Sequence, residues 1–277
     1  MPPSRVPRPR RYLLCEPRYF DVKYAINPWM SENTEVDLDL ARSQWTVLAD
    51  TYRALGHTVE TVEPHAELPD MVFAANSALV LDGKVFGSRF HAPQRRPEEE
   101  AYAAWFKVAG FDVHRPESVV EGEGDLVPVG GYVLAGTGFR TSVEAHREVQ
   151  EFFGVPVIGL QLVDPYFYHL DTALFVLGDG DEHGDKANIA YYPEAFSPGS
   201  LAVLRRLFPK AVVATRDDAM AFGLNSVSDG RHVLVAPQAE ALVEQLAAHG
   251  YEPVPVDMSE FHKSGGGIKC CTQEIRA

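Results

Sequence analysis

The sequence predicts an α/β fold in which about five similar units form a closed radial array around a central channel. Three observations support this fold. Five segments have the apolar spacing of amphipathic helices, a short β-rich run follows each of them, and turn-linked β-rich runs lie between successive helices. Hairpins between helices argue against a purely parallel sheet, so small mixed blades fit the pattern better. A functional site is expected where the strand ends converge on the channel.

The five helices are marked by start and stop signals. Ser142 is an N-cap residue type, and Pro198 and Pro237 stand where the first helical position tolerates proline. A glycine follows three of the helix ends. These glycines are Gly56, Gly110 and Gly250. The predicted helices are Leu38–Leu55, Pro97–Ala109, Ser142–Phe153, Pro198–Phe208 and Pro237–His249.

The strands are predicted from short β-rich runs. Those that follow the helices are HTVETVEP, FDVHRP, VPVIGLQLV, AVVAT and YEPVPVD. Turn-linked pairs are predicted in ALVLDGKVFGSRF, around Asp82-Gly83, and in DLVPVGGYVLAG, around Gly130-Gly131. VSDGRHVLVA adds a further strand pair or part of one. Helix starts recur about every 40 to 60 residues without a low-complexity linker, which indicates a repeat.

Length and composition favour one catalytic domain. The 277 residues are 45% hydrophobic, which is enough to bury a large core. The sequence contains no run of 18 apolar residues, which a membrane span would require. The N-terminus, MPPSRVPRPRRY, is basic and proline-rich but has no apolar core of a secretory signal. We therefore expect a disordered leader at 1–11 and a single α/β domain at 12–277.

Charge and cysteine content exclude several function classes. The net charge of −14 argues against nucleic acid as a partner, because phosphate binding requires clustered Lys and Arg. The three cysteines, Cys15, Cys270 and Cys271, do not describe a disulfide framework, so a cytoplasmic location is expected. No metal-binding spacing is present, and neither a metal nor a cofactor is predicted.

A glycine-led cysteine pair is the most informative motif. In KSGGGIKCCTQEI, three glycines precede Cys270 and Cys271 at the start of a predicted terminal strand. Glycine permits close backbone approach, which suits a loop that brings a nucleophile to a substrate. Neighbours in a strand face opposite sides, so at most one of the two faces the channel. Taken alone, the pair is also explained by buried structural cysteines, since free cysteine often packs as a small hydrophobic residue.

Acid–base side chains occur in two further motifs. YFYHLDT places His169 and Asp171 on one face if the segment is extended, and a paired histidine and carboxylate suits proton transfer. EGEGD crowds Glu121, Glu123 and Asp125 between glycines. Crowded carboxylates can hold a cation or tune a histidine, although an exposed acidic turn is the alternative. Each motif alone also has a structural explanation.

Two segments carry polar residues beside apolar ones. PDMVFAAN is predicted as an apolar strand flanked by Asp70 and Asn76, and INPWM places Asn27 before a proline and a tryptophan. Neither segment is decisive without the other motifs.

The motifs PDMVFAAN, EGEGD, AGTGFR, YHLDT and GGGIKCCT occur in an order that resembles the guanidino-group-modifying enzyme superfamily. This superfamily includes arginine deiminase, dimethylarginine dimethylaminohydrolase and the amidinotransferases. The resemblance extends from about Tyr12 to the C-terminus. It implies a five-bladed α/β propeller (pentein) with ββαβ repeats, and cysteine-dependent hydrolysis of C–N bonds in a linear amidine. A small arginine-like cation is the implied substrate.

The resemblance also implies roles for individual residues. By position, Cys270 matches the nucleophile, His169 the acid–base residue and Glu121 the carboxylate that pairs with the histidine. Asp125 and Asp171 match supporting acids, and Asp171 is expected to hold the guanidinium. The nucleophile would add to the guanidinium carbon, the histidine would protonate the departing amine, and a covalent thiouronium would form before hydrolysis. Cys271 is then the neighbour that packs away.

Position 76 departs from the deiminase pattern and points to one branch of the superfamily. Asn76 stands where deiminases have an aspartate, so a neutral hydrogen bond replaces a charge-assisted contact. Asn76 and Asn27 are similar to the arginine dihydrolase branch, which converts arginine to ornithine, ammonia and carbon dioxide in two rounds of attack. Arg95 and Arg140 then match residues that bind the substrate α-carboxylate.

Several alternatives stay open at this level. The substrate is arginine or a methylated arginine, for which Phe73, Trp29 or Met30 could line an apolar pocket, and the product is ornithine or citrulline. An amidinotransferase would use the same cysteine and histidine but pass the amidino group to an amine. A non-catalytic binder of basic amino acids is disfavoured because both residues are present. A homodimer is compatible with the sequence, but the oligomeric state is not readable from it.

Overall fold

The structure, a computed structural model, describes residues 5–31, 33–180 and 187–276. Within these ranges it contains fifteen strands. They are β1 (Arg11–Cys15), β2 (Thr58–Val62), β3 (Ala78–Leu81), β4 (Lys84–Gly87), β5 (Val113–His114), β6 (Leu126–Val129), β7 (Tyr132–Thr137), β8 (Val157–Gln161), β9 (Leu174–Gly178), β10 (Asn188–Tyr191), β11 (Val212–Val213), β12 (Val227–Ser228), β13 (His232–Val235), β14 (Glu252–Pro255) and β15 (Gln273–Glu274).

Eight α-helices lie in the same ranges, five of them long. They are α1 (Leu38–Ala54), α2 (Glu98–Val108), α3 (Gly122–Asp125), α4 (Val143–Phe153), α5 (Pro198–Leu207), α6 (Arg216–Met220), α7 (Glu240–Ala248) and α8 (Ser259–His262). None of these helices combines the length and apolar character needed to cross a membrane.

The strands form five sheets of three strands each. The sheets have the strand orders β3-β4-β5, β6-β7-β8, β9-β10-β11, β12-β13-β14 and β15-β1-β2. Each sheet has one antiparallel pair followed by one parallel pair, and one long helix connects the two parallel strands. In the last sheet, the C-terminal β15 pairs with β1, with Leu13 opposite Gln273, which joins the two chain ends in one blade. The predicted five-bladed α/β propeller is therefore confirmed.

The predicted helices are confirmed to within a few residues, with two differences in capping. The last long helix begins at Glu240 with Ala239 as its N-cap, so the predicted start at Pro237 is wrong. Ser142 stands at the N-cap of α4, but its side chain makes no cap hydrogen bond. The hairpin turns are as predicted, because Asp82-Gly83 and Gly130-Gly131 all have positive φ, the conformation of a tight two-residue turn.

The first strands of neighbouring sheets lie at the centre of the ring. β6 contacts β9, β9 contacts β12, and β15 contacts β3. The stretch immediately before each of these strands, here called a lead-in segment, therefore reaches the central channel. The five lead-in segments are 69–77, 121–125, 169–173, 225–226 and 264–272.

Three segments predicted as extended are turns instead. PDMVFAAN forms two short 3₁₀ helices, Pro69–Val72 and Ala74–Ser77, and a third covers Leu170–Thr172. Cys270 and Cys271 lie in a turn before β15, in which the amide of Cys271 donates to the carbonyl of Gly267 at 3.1 Å. Local hydrogen bonds satisfy the backbone N–H and C=O groups of these segments, because no described strand pairs with them on the channel side.

The N-terminal segment packs against the sheets that contain β9, β12 and β15. The amide of Arg8 donates to the carbonyl of Asp229 at 2.8 Å, and the Arg5 guanidinium lies 3.5 Å from the ring centroid of Tyr251. Arg10 makes ion pairs with Asp179 and Glu274. Residues 5–10 thus differ from the expected disorder, and residues 1–4 lie outside the described part. The predicted single domain at 12–277 stays a prediction.

Candidate active site

A narrow cavity in the propeller is lined by five of the residues predicted from the sequence. These are Asn27, Asn76, Arg95, Arg140 and Cys270. The other four predicted residues, which are buried beside it, are Glu121, Asp125, His169 and Asp171. Glu121, His169 and Asp171 contact lining side chains, and Asp125 contacts His169. The fold therefore brings all nine predicted residues together from four of the five lead-in segments, the N-terminal loop, the segment before α2 and the loop after β7.

Cys270 is the candidate nucleophile, and its side chain is 2% exposed. Its thiol donates to Oδ2 of Asp171 at 3.2 Å and accepts from Nδ2 of Asn225 at 3.1 Å. Burial, the negative charge of Asp171 and the hydrogen bond to it raise the pKa of the Cys270 thiol well above its usual range. The free site therefore holds a neutral thiol, and forming the thiolate requires a nearby cation.

Glycine is required in the loop before Cys270. Gly265 has φ +86°, and a Cβ on Gly266 would lie 2.4 Å from the ring of Phe73. The backbone can approach the aromatic ring only because the side chain is missing. The three glycines of the motif thus have the role predicted for them, which is close approach around the cysteine.

His169 lies in a charged hydrogen-bond chain. Its Nε2 is 2.8 Å from Oε2 of Glu121, and Nη1 of Arg140 lies 3.2 Å from the same oxygen. Glu121 is 0% exposed, yet the hydrogen bond from His169 and the charge of Arg140 outweigh burial and hold its pKa below its usual range. Glu121 therefore stays ionised and fixes the proton of His169 on Nε2.

Asn76 faces the other ring nitrogen of His169. Its Oδ1 accepts from Nη1 of Arg95 at 2.8 Å, and its Nδ2 lies 3.5 Å from Nδ1 of His169. Glu98 grips Arg95 through two hydrogen bonds, at 3.0 Å to Nε and 2.8 Å to Nη2. Because Arg95 can only donate, it turns the Asn76 oxygen toward itself and leaves the amide N–H pointing at His169.

Asp125 supports the backbone around His169 rather than the cavity. Its Oδ1 accepts from the amide of Leu170 at 3.0 Å, and its Oδ2 accepts from the amide of Thr141 at 3.3 Å. Burial raises the pKa of Asp125 above its ordinary value. The Asp125 carboxylate therefore accepts a backbone amide of the 3₁₀ turn that begins after His169 and holds this turn in place.

Asp171 lies between Cys270 and a second cavity on its other side. That second cavity is also lined by Glu123, Lys269 and Arg276. Oδ1 of Asp171 is buried, and none of the described residues gives it a hydrogen-bond partner. Burial raises the pKa of Asp171 to about 6, although the nearby His169 and Lys269 act to lower it.

The three acids of EGEGD are all buried, so the alternative of an exposed acidic turn is wrong. Glu121 pairs with His169, while Glu123 makes ion pairs with Lys269 and Arg276. Crowding these carboxylates is possible because each has its own cationic or backbone partner.

Asn27 shapes the rim of the cavity. Its Nδ2 donates to the carbonyl of Ser264 at 3.0 Å, and its Oδ1 accepts from the amide of Trp29 at 2.9 Å. Nη2 of Arg140 donates to the carbonyl of Ile26 at 2.6 Å, which ties the same loop to the site. Asn27 thus joins the N-terminal loop to the cysteine loop.

Sequence reasoning missed several residues of the site. Tyr168 and Ser264 line the cavity, and Asn225 contacts the candidate nucleophile. Tyr168 belongs to the motif YFYHLDT, but a tyrosine next to a histidine does not by itself indicate a residue of the site. Asn225 lies in FGLNS, which has no charged, nucleophilic or glycine-rich pattern to mark it.

The arrangement has the parts of a cysteine–histidine hydrolase. It combines a thiol, a histidine oriented by a carboxylate, and buried acids that suit a planar cation. Over residues 5–31, 33–180 and 187–276, no group of three or more His, Cys, Asp and Glu side chains is arranged to hold a metal ion. The expected absence of metal and cofactor stays a prediction.

Proteins of known name resemble the chain over nearly its whole length. It is 48% identical over 274 residues to the N(G),N(G)-dimethylarginine dimethylaminohydrolase of Mycobacterium tuberculosis, covering 99% of this chain and 88% of that protein. It is 35% identical over 272 residues to the bifunctional arginine dihydrolase/ornithine cyclodeaminase ArgZ of Synechocystis, covering 96% of this chain and 37% of that longer protein. No family model matches the chain.

Solved structures agree with these sequence matches. The N-terminal domain of ArgZ, crystallised as a cysteine-to-serine variant bound to substrate, has a TM-score of 0.90 at 33% identity. That match covers 96% of this chain and 98% of that chain. The Pseudomonas aeruginosa dimethylarginine dimethylaminohydrolase, crystallised with citrulline, has a TM-score of 0.80 at 21% identity over 96% of this chain and 99% of that chain, which supports the fold. The chain belongs to the family of cysteine-dependent guanidino hydrolases that contains the dimethylarginine dimethylaminohydrolases and the arginine dihydrolases.

Proposed function

We propose that this hydrolase is an arginine dihydrolase, which converts arginine to ornithine in two rounds of attack by Cys270. The observation that carries the proposal is the neutral Asn76, which Arg95 holds with its amide N–H toward His169. An amide N–H cannot bind a guanidinium, which has only donors, but it can donate to the oxygen of the ureido group that the first round forms. A site that must hold the ureido group for a second round benefits from this donor.

Substrate binding prepares the nucleophile. The guanidinium donates to the Asp171 carboxylate, whose Oδ2 lies 3.2 Å from Sγ of Cys270, while Arg95 and Arg140 attract the α-carboxylate. The positive charge beside Cys270 lowers the pKa of the thiol, and its proton passes to His169 as the thiolate forms, which supplies the proton that His169 delivers in the next step. Arg140 already donates to Glu121 and to the carbonyl of Ile26, so its remaining N–H groups are the ones left for substrate.

The first round exchanges one nitrogen for oxygen. The Cys270 sulfur bonds to the guanidinium carbon, His169 delivers a proton to a terminal nitrogen, and that C–N bond breaks to release ammonia and leave a thiouronium. Water then adds to the same carbon while His169 takes its proton. The C–S bond breaks, and its electron pair returns to the thiolate as citrulline forms.

The second round acts on the ureido carbon. The thiolate adds again, a second ammonia departs, and the remaining thiocarbamate is hydrolysed to a carbamate. The carbamate loses carbon dioxide and leaves ornithine. Arginine and two waters thus give ornithine, two ammonia and one carbon dioxide, so that atoms and charge balance.

The cavity lining favours arginine over dimethylarginine. Of the three apolar residues considered for a methyl pocket, only Phe73 lines the cavity. Trp29 packs against Tyr166 and Phe222, and Met30 accepts a hydrogen bond from the amide of Ile26. A dimethylated nitrogen has no N–H, so it would leave a buried acceptor unpaired.

Hydrolysis of asymmetric dimethylarginine is the second candidate. It is favoured by the 48% identity to a protein that bears the name dimethylarginine dimethylaminohydrolase. The chemistry at Cys270 would be the same for one round, with dimethylamine as the leaving group.

Product analysis separates these candidates. The purified protein is incubated separately with arginine and with asymmetric dimethylarginine, and the products are identified by mass spectrometry. Ornithine and ammonia from arginine support the proposal. Citrulline and dimethylamine from the methylated substrate alone would replace it with the second candidate. A glycine-dependent guanidino product would indicate amidino transfer, which the relatives' names do not support.

The cellular location of the enzyme is proposed from its cysteines. Cys15, Cys270 and Cys271 are all free thiols, which supports a reducing compartment and hence a cytoplasmic location. A small cationic substrate, the absence of a nucleic-acid or membrane partner and a possible homodimer stay predictions.

A further inference from the structure

Four of the five lead-in segments contain residues already assigned to the site. They carry Asn76, Glu121, His169 and Cys270. The remaining lead-in segment, before β12, carries Asn225, which is 0% exposed. Because the pseudo-fivefold fold delivers all five segments to the same channel, we expect Asn225 to act in the site as well.

We propose that Asn225 is a catalytic residue that orients the Cys270 sulfur and donates a hydrogen bond to its thiolate. The proposal rests on the role of Cys270 as the nucleophile in the proposed function. Nδ2 of Asn225 lies 3.1 Å from Sγ of Cys270, so the amide touches the reacting atom itself.

The backbone on both sides determines which end of the amide faces the sulfur. The amide N–H of Cys270 donates to Oδ1 of Asn225 at 3.1 Å, and Nδ2 of Asn225 donates to the carbonyl of Asp171 at 3.1 Å. A backbone N–H can only donate and a backbone carbonyl can only accept. Reversing the amide would therefore break both bonds, so the sulfur always faces an N–H group.

Asn225 matters most when the sulfur is charged. In the free site, Sγ–H donates to Oδ2 of Asp171. A thiolate has no proton to donate, and its negative charge beside the Asp171 carboxylate is unfavourable. The N–H of Asn225 then supplies a donor to a charge that is buried in the site, and hydrogen bonds to charged groups are about twice as strong as neutral ones.

Asn225 is itself held rigidly against the cysteine loop. Its carbonyl accepts from the amide of Lys269 at 3.1 Å, and its own amide donates to the carbonyl of Phe222 at 3.0 Å. Phe222 has φ +58°, which is rare for a residue with a side chain and bends the chain toward the cysteine loop. A Cβ on Gly267 would lie 3.1 Å from Oδ1 of Asn225, so the two segments are closely packed.

Alkylation of Cys270 tests this role without depending on turnover. The wild type and the Asn225→Ala and Asn225→Asp variants react with iodoacetamide across a pH series, with and without saturating guanidinium chloride at non-denaturing concentration. Peptide mass spectrometry follows Cys270 alone. Ser226→Ala is the matched control, because it removes a buried hydrogen bond to Gly223 from the same turn without contacting the sulfur.

The proposal predicts a change confined to the Asn225 variants. Both should move the alkylation profile to higher pH, so that alkylation below the thiol pKa slows about ten- to a hundredfold, and kcat should fall with it. Asn225→Asp keeps the size of the side chain and the acceptor for Cys270 but replaces the donor with a negative charge, so its shift should be the larger of the two and stays measurable even if Asn225→Ala does not fold. Profiles of a folded Asn225→Asp that overlay the wild type, or an equal shift in Ser226→Ala, would overturn the proposal.

Turnover of Cys270→Ser, measured beside the alkylation profiles, separates this inference from the proposed function. If Cys270→Ser retained turnover, the proposed function would fail whatever the alkylation profile. If Cys270→Ser were inactive but the Asn225 variants kept the wild-type profile, only the role of Asn225 would fail.

Discussion

Arg95 donates from Nη1 to Oδ1 of Asn76 at 2.8 Å, and this bond orients the Asn76 amide in the site. Arg95 is buried and gripped by Glu98, so it has little freedom to release the amide oxygen. The Asn76 N–H is consequently held toward His169 and toward any group that occupies the cavity. The Arg95–Glu98 ion pair thus orients the neutral amide of Asn76.

Asn76→Asp should shift the product from ornithine toward citrulline. The new carboxylate would pair with Arg95 and bind a guanidinium more tightly than a neutral ureido group, so citrulline would leave before the second round. The ratio of the two products from arginine is measured by chromatography. Asn188→Asp, at a site in β10 where the side chain donates to the carbonyl of Lys210, is the control. An unchanged ratio would remove Asn76 from the second round.

Cys270→Ser should abolish turnover while the fold is retained, because a serine hydroxyl is a far weaker nucleophile in this setting. Cys271→Ser should keep most of the activity, since Cys271 is buried in the apolar core with no assigned contact to the cavity. Steady-state rates and circular dichroism of both variants make the comparison. The reverse pattern would mean that the adjacent cysteine is the nucleophile.

Gly124→Ala should lower kcat/KM about a hundredfold, in keeping with the cost of a displacement of about 1 Å in a catalytic site. A Cβ on Gly124 would lie 2.3 Å from Nδ2 of Asn76 and 3.1 Å from Nδ1 of His169, so both side chains must move. Gly199→Ala, where a Cβ meets nothing within 4 Å, is the matched control. Equal activity of the two variants would show that neither side chain needs its position.

Acid should weaken substrate capture through Asp171. Burial raises the pKa of this carboxyl to about 6, and only the ionised form attracts a guanidinium. Because kcat/KM reports the free enzyme, it should fall about tenfold per pH unit below about pH 6. A profile flat from pH 7 to pH 5 would contradict this role for Asp171.

The same shift has a consequence for stability. The folded-state pKa of Asp171 lies above its ordinary value of 3.8, so the folded protein binds more protons between those pH values and stability falls as pH rises from about 4 to 6. Relative to Asp171→Asn, which lacks this titration, the wild-type free energy of unfolding should decrease by about 3 kcal/mol over that range. Urea denaturation of both proteins at each pH measures it. An unchanged difference would place the titration elsewhere.

The repeat architecture could be predicted from the sequence because it depends on local patterns. Apolar spacing identified the long helices, and Asp82-Gly83 and Gly130-Gly131 have the residue types that two-residue turns require. The start of α7 was misplaced because Pro237 precedes the helix by a short turn instead of opening it.

The site segments were harder to predict, because tertiary contacts override their apolar character. The segment with His169 reads as extended, but Oδ1 of Asp125 takes the amide of Leu170 and holds a 3₁₀ turn. Charged and nucleophilic residues were nevertheless found, since their types carry chemistry. Asn225 was not, because an asparagine in an unremarkable sequence gains its function only from the partners that the fold supplies.

The most direct test of the account is to capture the covalent intermediate on the wild-type enzyme. Protein turning over arginine is quenched in acid, digested and analysed by mass spectrometry. The account predicts that the peptide containing Cys270 and Cys271 gains the mass of arginine less ammonia, with fragmentation placing it on Cys270. An adduct on Cys271, or turnover to ornithine with no adduct on either cysteine at any quench time, would contradict it.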